Sequence, residues 1–426
     1  MKKKFLSGLM ALAIAIPCAF GLVGCGEDPA DPTTPPATHT HSYAVCDEYL
    51  VVEDKAYHAT KKCDCGDYEK TELADYIIAT PETAQEILDG EINGKTVVLS
   101  SGEYGTLKVR PTRETVDKIY AYDVANPTIY GAEKTLDEVK DTTTGSYHYV
   151  RELNNVKFVG AVGAEFKGVF SIQSKKYNVY DYFHNAGMGL EEVEDFDVIR
   201  NIAVVDTNGN ADIVANDVAY ADHINVDSVM FEKMNFTGNK GRIFVGREYD
   251  ATVENVAFMN CSFVTEEEWP TTSYSCSAIQ FEVLNGTAEM KNIKVENCVI
   301  DGHHQGVRVA NGNNVSIKNN VIKNSTHNLI NLQGSYTKGG VLIEGNTLEN
   351  GTDRAIRFYV LDNATVVIKD NAFVNASKSN GEILKAEASA TGSSIELDGN
   401  TYGGVAITDA TYTTEETPTI VVSKPA

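Results

Sequence analysis

A six-residue phrase recurs along the second half of the chain: "FMNCSF" at 258–263, "VENCVI" at 295–300, "IKNNVI" at 317–322, "IEGNTL" at 343–348, "IKDNAF" at 368–373 and "LDGNTY" at 397–402, with a weaker copy, "FEKMNF", at 231–236. Its first and last positions are always apolar. The third is Lys233, Asn260, Asn297, Asn319, Gly345, Asp370 or Gly399. Asn, Asp and Gly tolerate a left-handed backbone, so six of the seven copies can bend sharply there. The fourth is Met234, Cys261, Cys298, Asn320, Asn346, Asn371 or Asn400, at intervals of 27, 37, 22, 26, 25 and 29 residues. Such a period marks a solenoid. The flanks alternate with period two, Val315/Ile317, Val341/Ile343, Val366/Ile368 and Ile395/Leu397 inward, and Ser316, Lys318, Glu344, Lys369, Glu396 and Asp398 outward. That period selects strands over helices and predicts a parallel β-helix with one coil per repeat. Stacked at about 4.8 Å, Asn320, Asn346, Asn371 and Asn400 form a buried column in which each amide bonds its neighbours above and below. At Cys298, Cys261 and Met234 the column turns apolar.

This pattern resembles the right-handed parallel β-helix of the pectin-lyase-like superfamily, whose asparagine ladder sits at a two-residue bend of this kind. The resemblance spans roughly residues 75–415 and implies an all-β solenoid of roughly ten coils, about 50 Å long at one strand spacing per coil. "ATPETAQEILDGEINGKTVVLSSGEYG" (79–105) fits its start. Thr80 is expected as N-cap and Pro81 as the first helical residue, with Ala84, Ile87 and Leu88 forming the apolar face. In the superfamily such a helix caps the open end of the first coil, and "TVVLSSGEY" then reads as the first coil strand. Residues 416–426 are left as a C-terminal tail.

The N-terminus carries different signals. "MKKKFLSGLMALAIAIPCAFGLVGC" reads as a secretion signal over residues 1–24, and Leu22-Val23-Gly24-Cys25 matches the bacterial lipobox, so Cys25 is the expected lipidation site. The expectation is a secreted lipoprotein held to the membrane and facing the cell exterior. Residues 25–38, rich in Pro, Thr and acid, are expected to be a disordered tether. Removing residues 1–24, with three lysines and no acid, takes the formal charge from −24 to −27, which argues against nucleic acid and anionic lipid surfaces as partners. Residues 39–72 resemble short Cys/His modules near the start of surface proteins of gut anaerobes. A segment so short needs a staple: either zinc held by Cys46, Cys63, Cys65 and a histidine such as His58, or one disulfide with a free thiol. In both cases the module reads as a spacer. Cys261 and Cys298 read as small buried fillers, and Cys276 sits in an inserted loop.

Chemistry is sought on the strands that follow the bend. Alternation points Ile243, Ile279, Val307, Ile330, Ile356 and Leu384 inward, leaving an outward row of Phe244, Gln280, Arg308, Asn331, Arg357 and Lys385. A second outward row holds Gly246, Glu282, Ala310, Gln333, Tyr359 and Glu387. The superfamily resemblance implies that this face carries the substrate groove. Gln280, Glu282, His304, Asn331 and Gln333 suit sugar hydroxyls, and Tyr359 and Phe244 offer flat faces to a pyranose ring. The preceding loops add Asp301, His303, His327, Asp353 and Arg354. For β-elimination of a uronate, Arg308, Arg357 and Lys385 would neutralise the carboxylate and supply the base, the Arg357 charge lowering the Lys385 pKa, while Tyr359 or His327 would protonate the leaving oxygen. Hydrolysis would need two carboxylates from Glu282, Asp301 and Asp353. The polygalacturonase and main pectate and pectin lyase signatures are absent from the sequence. Two tyrosine-rich, acidic insertions, 111–150 and 174–222, are expected to wall the groove at its N-terminal end, with calcium as a candidate ion. Two readings stand: a monomeric protein that binds or cleaves a polysaccharide or glycoprotein glycan, and a non-catalytic adhesin or spacer.

Overall fold

A computed structural model describes residues 41–111, 115–122, 130–135, 147–173, 175–178, 219–238, 241–247, 251–265, 277–283, 289–389, 392–408, 411–414 and 420–426. The expected signal, lipobox and tether, together with Cys276 and much of both insertions, lie outside these residues. Tyr43–Ala426 form one compact unit.

Strands stack in parallel on three faces of a β-helix. A front stack runs from Leu107–Val109 through Val169–Gln173, Arg242–Arg247, Ser277–Val283, Gln305–Ala310, Ile330–Gln333 and the first half of Ile356–Lys369 to Glu382–Ser389. A back stack begins at Tyr76–Ala79 and Thr96–Leu99 and continues through Tyr147–Gly160, Ala219–Glu232, Val253–Met259, Met290–Glu296, Gly312–Lys318, Thr337–Glu344 and the second half of Ile356–Lys369 to Ser393–Asp398. Short strands from Gly102–Tyr104 to Thr401–Tyr402 make the side sheet. The residues that alternation sends inward, such as Val315, Ile317, Ile343 and Ile368, form one continuous apolar core.

Asn346 and Asn371 are 1% exposed. The amide column is fully bonded: Asn320 Nδ2 donates to Asn346 Oδ1 (2.9 Å), Asn346 Nδ2 to Asn371 Oδ1 (2.9 Å) and Asn371 Nδ2 to Asn400 Oδ1 (3.0 Å). Each Nδ2 also reaches a carbonyl of the preceding coil, and each Oδ1 takes a second bond from a main-chain N–H, as Asn346 does at Ile317 O and Asn320 N. The column does not turn wholly apolar beyond Asn320. Cys298 Sγ and Cys261 Sγ, both free thiols, donate to Phe258 O (3.7 Å) and Phe231 O (3.4 Å), the same kind of carbonyl an asparagine would reach. Burial, with Cys298 alongside, pushes the Cys261 thiol well above its ordinary pKa, so it stays protonated and able to donate.

All seven third positions adopt φ between 55° and 66°, including Lys233, whose ammonium pairs with Asp47 at 2.8 Å. Two further left-handed corners accompany this bend at five-residue spacing, as at Asn314, Asn319 and Asn324, or Asn292, Asn297 and Gly302. Their exposed amides also form columns. Asn292 Nδ2 donates to Asn255 Oδ1 (2.8 Å) on the back edge, and Asn350 Nδ2 to Asn324 Oδ1 (2.9 Å) on the side edge.

The helix differs from expectation at its start. It spans Ala84–Asp89 with Thr83 as N-cap, and Thr80 and Pro81 sit in the turn before it. Thr83 Oγ1 accepts the Thr80 N–H (3.0 Å), which folds that turn back on itself, and Pro81 packs against Gly102, where a Cβ would meet its ring. Ala84 and Leu88 are buried as expected.

At the N-terminal end the helix closes the first coil, with Ala84 and Leu88 entering the core, and a small sheet lies against the outer face of the first back strands. Tyr43–Val52, Lys55–Cys63 and Tyr68–Glu72 form this antiparallel sheet, whose Tyr49 and Ala56 pack on Val98, Val159 and Ala161 of the first coils. Tyr49 Oη donates to Glu232 (2.8 Å) and receives Lys157 (2.7 Å), joining this sheet to the back stack by hydrogen bonds. At the other end each stack closes with an antiparallel strand: Val405–Ala406 on the side, Thr411–Thr414 on the back and Ile420–Ser423 on the front. Ile420–Ser423 falls in the stretch expected to be a tail. An antiparallel last strand leaves no open coil edge in register for another copy to extend.

Candidate functional site

The front register brings together the residues that alternation placed there. Phe244, Gln280, Arg308, Asn331, Arg357 and Lys385 pair in that order across six coils. Although this row points away from the core, Gln280 is 3% exposed and Asn331 2%.

A polar network links the row. Gln280 Nε2 donates to Glu282 (3.2 Å), which receives the Arg308 guanidinium at 2.8 Å. The Gln333 amide lies between Arg308 Nε (2.6 Å from its oxygen) and Asn331 (3.2 Å). Asn331 Nδ2 and Ser277 Oγ both donate to Gln305 Oε1 (3.3 Å each), and Gln305 Nε2 lies 3.4 Å from His327 Nδ1. Two acceptors in this network, Gln280 Oε1 and Asn331 Oδ1, are buried with no hydrogen-bond partner. An acceptor left so costs about 1–3 kcal/mol, which a donor arriving from outside would offset.

Two of the three cations given charge roles, Arg308 and Arg357, stand in ion pairs. Arg357 Nε and its neighbouring amino group bond Glu387 (2.7 and 2.6 Å), and the guanidinium lies 4.3 Å over the Tyr359 ring. The cation expected to tune Lys385 is therefore met by a carboxylate, and one face of the tyrosine expected to stack on sugar is taken. Phe244 likewise has the Arg242 guanidinium over its ring at 5.9 Å. Arg354 bonds Glu382 (2.6 Å) and Asp353 (3.2 Å), and with Glu282 on Arg308 and Asp301 on Lys323 (3.2 Å) the three carboxylates considered for hydrolysis are engaged as well. The calcium expectation rests on acids of the two insertions, most of which lie outside the described residues.

His304 and His327 stand with ring centroids 5.3 Å apart, and His304 Nδ1 is 2.8 Å from Thr326 Oγ1. Burial, reinforced by His327 and Arg308, brings the His304 pKa down to about 4. Burial also lowers that of His327; Asp353, 3.7 Å from its Nε2, works against the shift and Arg357 works with it. Both imidazoles are neutral near pH 7, suited to single hydrogen bonds rather than to delivering an acid proton. His303 turns away from the face. It is buried beside Phe263 with Nε2 on Gly241 O (3.0 Å).

An open hollow of about 600 Å³ lies elsewhere, on the back stack, lined by Asn255, Asn292, Asn314, Leu342 and Val367 among others. Its asparagines pair with one another, whereas Gln280 Oε1 and Asn331 Oδ1 on the front are buried without partners, so the front is the better candidate. In the small N-terminal sheet, Cys63 and Cys65 come together, with Cys65 N donating to Cys63 Sγ (3.4 Å). His41 joins them, the three ligand atoms lying within 4.8 Å of one another, as a group that could hold a metal ion, whereas Cys46 Sγ donates to Ala59 O (3.5 Å) and His58 Nε2 lies 2.7 Å from Asp47, so these two stand apart. The antiparallel pairing of Tyr43–Val52 with Lys55–Cys63 separates these residues.

Strand register and corner columns define a right-handed parallel β-helix, and the family described as the right handed beta helix region matches residues 220–413. Solved structures similar to the chain include a pectate lyase from Bacillus sp. N165 in complex with trigalacturonate (10% identity, 81% of this chain and 86% of that one, TM-score 0.35). Two others are ORF18 of Geobacillus virus E2 (8%, 85% and 72%, 0.32) and a hyperthermoactive exopolygalacturonase from Thermotoga maritima (11%, 82% and 96%, 0.28). No curated protein matches the sequence. At these identities no residue role transfers, and the front face is read from its own geometry.

Proposed function

We propose that the chain is a lipid-anchored, outward-facing surface protein whose front face binds complex carbohydrate without cleaving it. The observation that carries this reading is the pair of buried acceptors, Gln280 Oε1 and Asn331 Oδ1, standing without partners in a row of amides and neutral imidazoles. Sugar hydroxyls donate and accept at once, which is what such a row can answer. Against catalysis stands the engagement of Arg308 and Arg357 by Glu282 and Glu387, which occupies two of the three cations an elimination would use.

Purified residues 26–426, incubated with a panel of polysaccharides with and without calcium, should retain binding to at least one polymer and release no ultraviolet-absorbing unsaturated product. Appearance of that product, abolished by Arg357→Ala or Lys385→Ala, would establish a lyase instead. The anchor rests on the lipobox. Cys25→Ala should move the protein from the membrane fraction to the medium, and an unchanged distribution would remove the lipid from the account.

A further inference from the structure

Four cations of the front face, Arg308, Arg354, Arg357 and Lys385, stand among four carboxylates, Glu282, Asp353, Glu382 and Glu387, so the patch has no net charge. Three of the cations are held within it: Arg308 by Glu282 at 2.8 Å, Arg354 by Glu382 at 2.6 Å and Arg357 by Glu387 at 2.6 Å. The first two guanidinium side chains are 12% and 7% exposed. A uronate could reach them only by displacing a carboxylate that is itself largely buried, and breaking such a pair strands a charge. Beyond the patch, the chain carries −24 formal charges, a field that opposes any polyanion. What remains on the row outside these pairs is the Lys385 ammonium at its C-terminal end and a run of uncharged groups: Gln280 Oε1 and Asn331 Oδ1 as acceptors, with the neutral His304 and His327 beside them.

From this we infer that the ligand is a neutral, hydroxyl-rich glycan and that the ion pairs act as a filter against uronates. The inference rests on the front-face reading above and names its ligand class. Glu282 and Glu387 are then specificity-determining residues, filling the places that a substrate carboxylate would otherwise take on Arg308 and Arg357.

Affinity electrophoresis of the purified chain through gels containing galactan, arabinan or mannan, against polygalacturonate at equal mass, tests this. Retardation is expected from at least one neutral polymer and none from polygalacturonate. Glu387→Gln should strengthen polygalacturonate binding at least about tenfold by freeing a guanidinium for a charge-assisted pair. Glu282→Gln should do the same where its urea midpoint shows it folded. Gln280→Ala should weaken neutral-polymer binding about tenfold. If wild type binds polygalacturonate at least as well as any neutral polymer, and Gln280→Ala weakens that binding, the neutral-ligand inference is overturned while the front-face reading stands. Neutral binding with no gain in a folded Glu387→Gln variant overturns the filter. Failure to bind any polymer, or binding indifferent to Gln280→Ala, overturns the front-face reading and this inference with it.

Discussion

The later coils and the earlier ones solve the same problem with different chemistry. From Asn320 onward, register is held by buried amides bonded in both directions, and the core row beside them is aliphatic, with Ile317, Ile343 and Ile368 in succession and Phe358 and Phe373 on the other faces. From Cys298 back toward the N-terminus the corner column carries two thiols and a methionine, and the core carries stacked rings: Phe158, Phe231 and Phe258 at 5.2 and 5.0 Å, and Phe166, Phe236 and Phe263 at 4.9 and 4.8 Å. Amide bonds fix register by direction, since a slipped coil leaves several buried groups unpaired. Rings fix it by shape and tolerate more distortion, because dispersion and burial fall off without orphaned polar atoms. The long insertions also enter among the earlier coils, where the corner column lacks an amide that must be answered in every turn.

This contrast can be broken. Asn346→Ala should have the largest effect. It removes the side-chain partner of Asn320 N–H and of Ile317 O on the preceding coil and takes one of two bonds from Asn320 Nδ2 and from Asn371 Oδ1, for a loss of about 4 kcal/mol or more in urea unfolding. Phe258→Ala should cost about 3–4 kcal/mol, but Phe258→Leu only about 1 kcal/mol, because an apolar stack accepts a change of shape. A Leu variant as damaging as Asn346→Ala would erase the distinction. Cys298→Asn extends the amide column by one coil and should leave stability within about 1 kcal/mol of wild type, Asn320 Oδ1 already waiting beside it. Glu344→Ala, which removes a surface carboxylate between Lys318 and Lys369, should cost at most about 1 kcal/mol.

The front face adds a pH dependence that the corner columns lack. His304 titrates at about 4 in the folded chain against an ordinary 6.5, so as pH falls the unfolded chain takes its proton first. Stability present above pH 6.5 should therefore decline as pH falls toward 4, and His304→Gln should flatten that slope. A slope unaffected by the substitution would place the titrating group elsewhere.

Much of this was legible in the sequence because one column has no tolerant alternative. A polar residue recurring where alternation demands an apolar one points to a buried, answered amide, and alternation then gave the front row residue by residue. The two extra corners were equally present, in Asn314, Asn319 and Asn324, but exposed asparagines carry no burial penalty to draw attention to their spacing. The pairing of Arg308 with Glu282 was not legible, since it joins residues 26 apart in the chain, on adjacent coils and two positions along the strand. Nor was the direction of the closing strands, which a local apolar pattern does not encode. The helix start was misplaced because Thr80-Pro81 satisfies the usual start signals while Thr83 folds the preceding turn.

The most direct test of the central claim compares the front with the back. Hydrogen exchange followed by mass spectrometry, with and without a bound neutral glycan, should show added protection in peptides covering Ser277–Val283, Gln305–Ala310 and Ile330–Gln333, and none in those covering Gly312–Lys318 and Thr337–Glu344. Protection appearing on those back strands, around the hollow beside Leu342, with the front unchanged, would contradict the account.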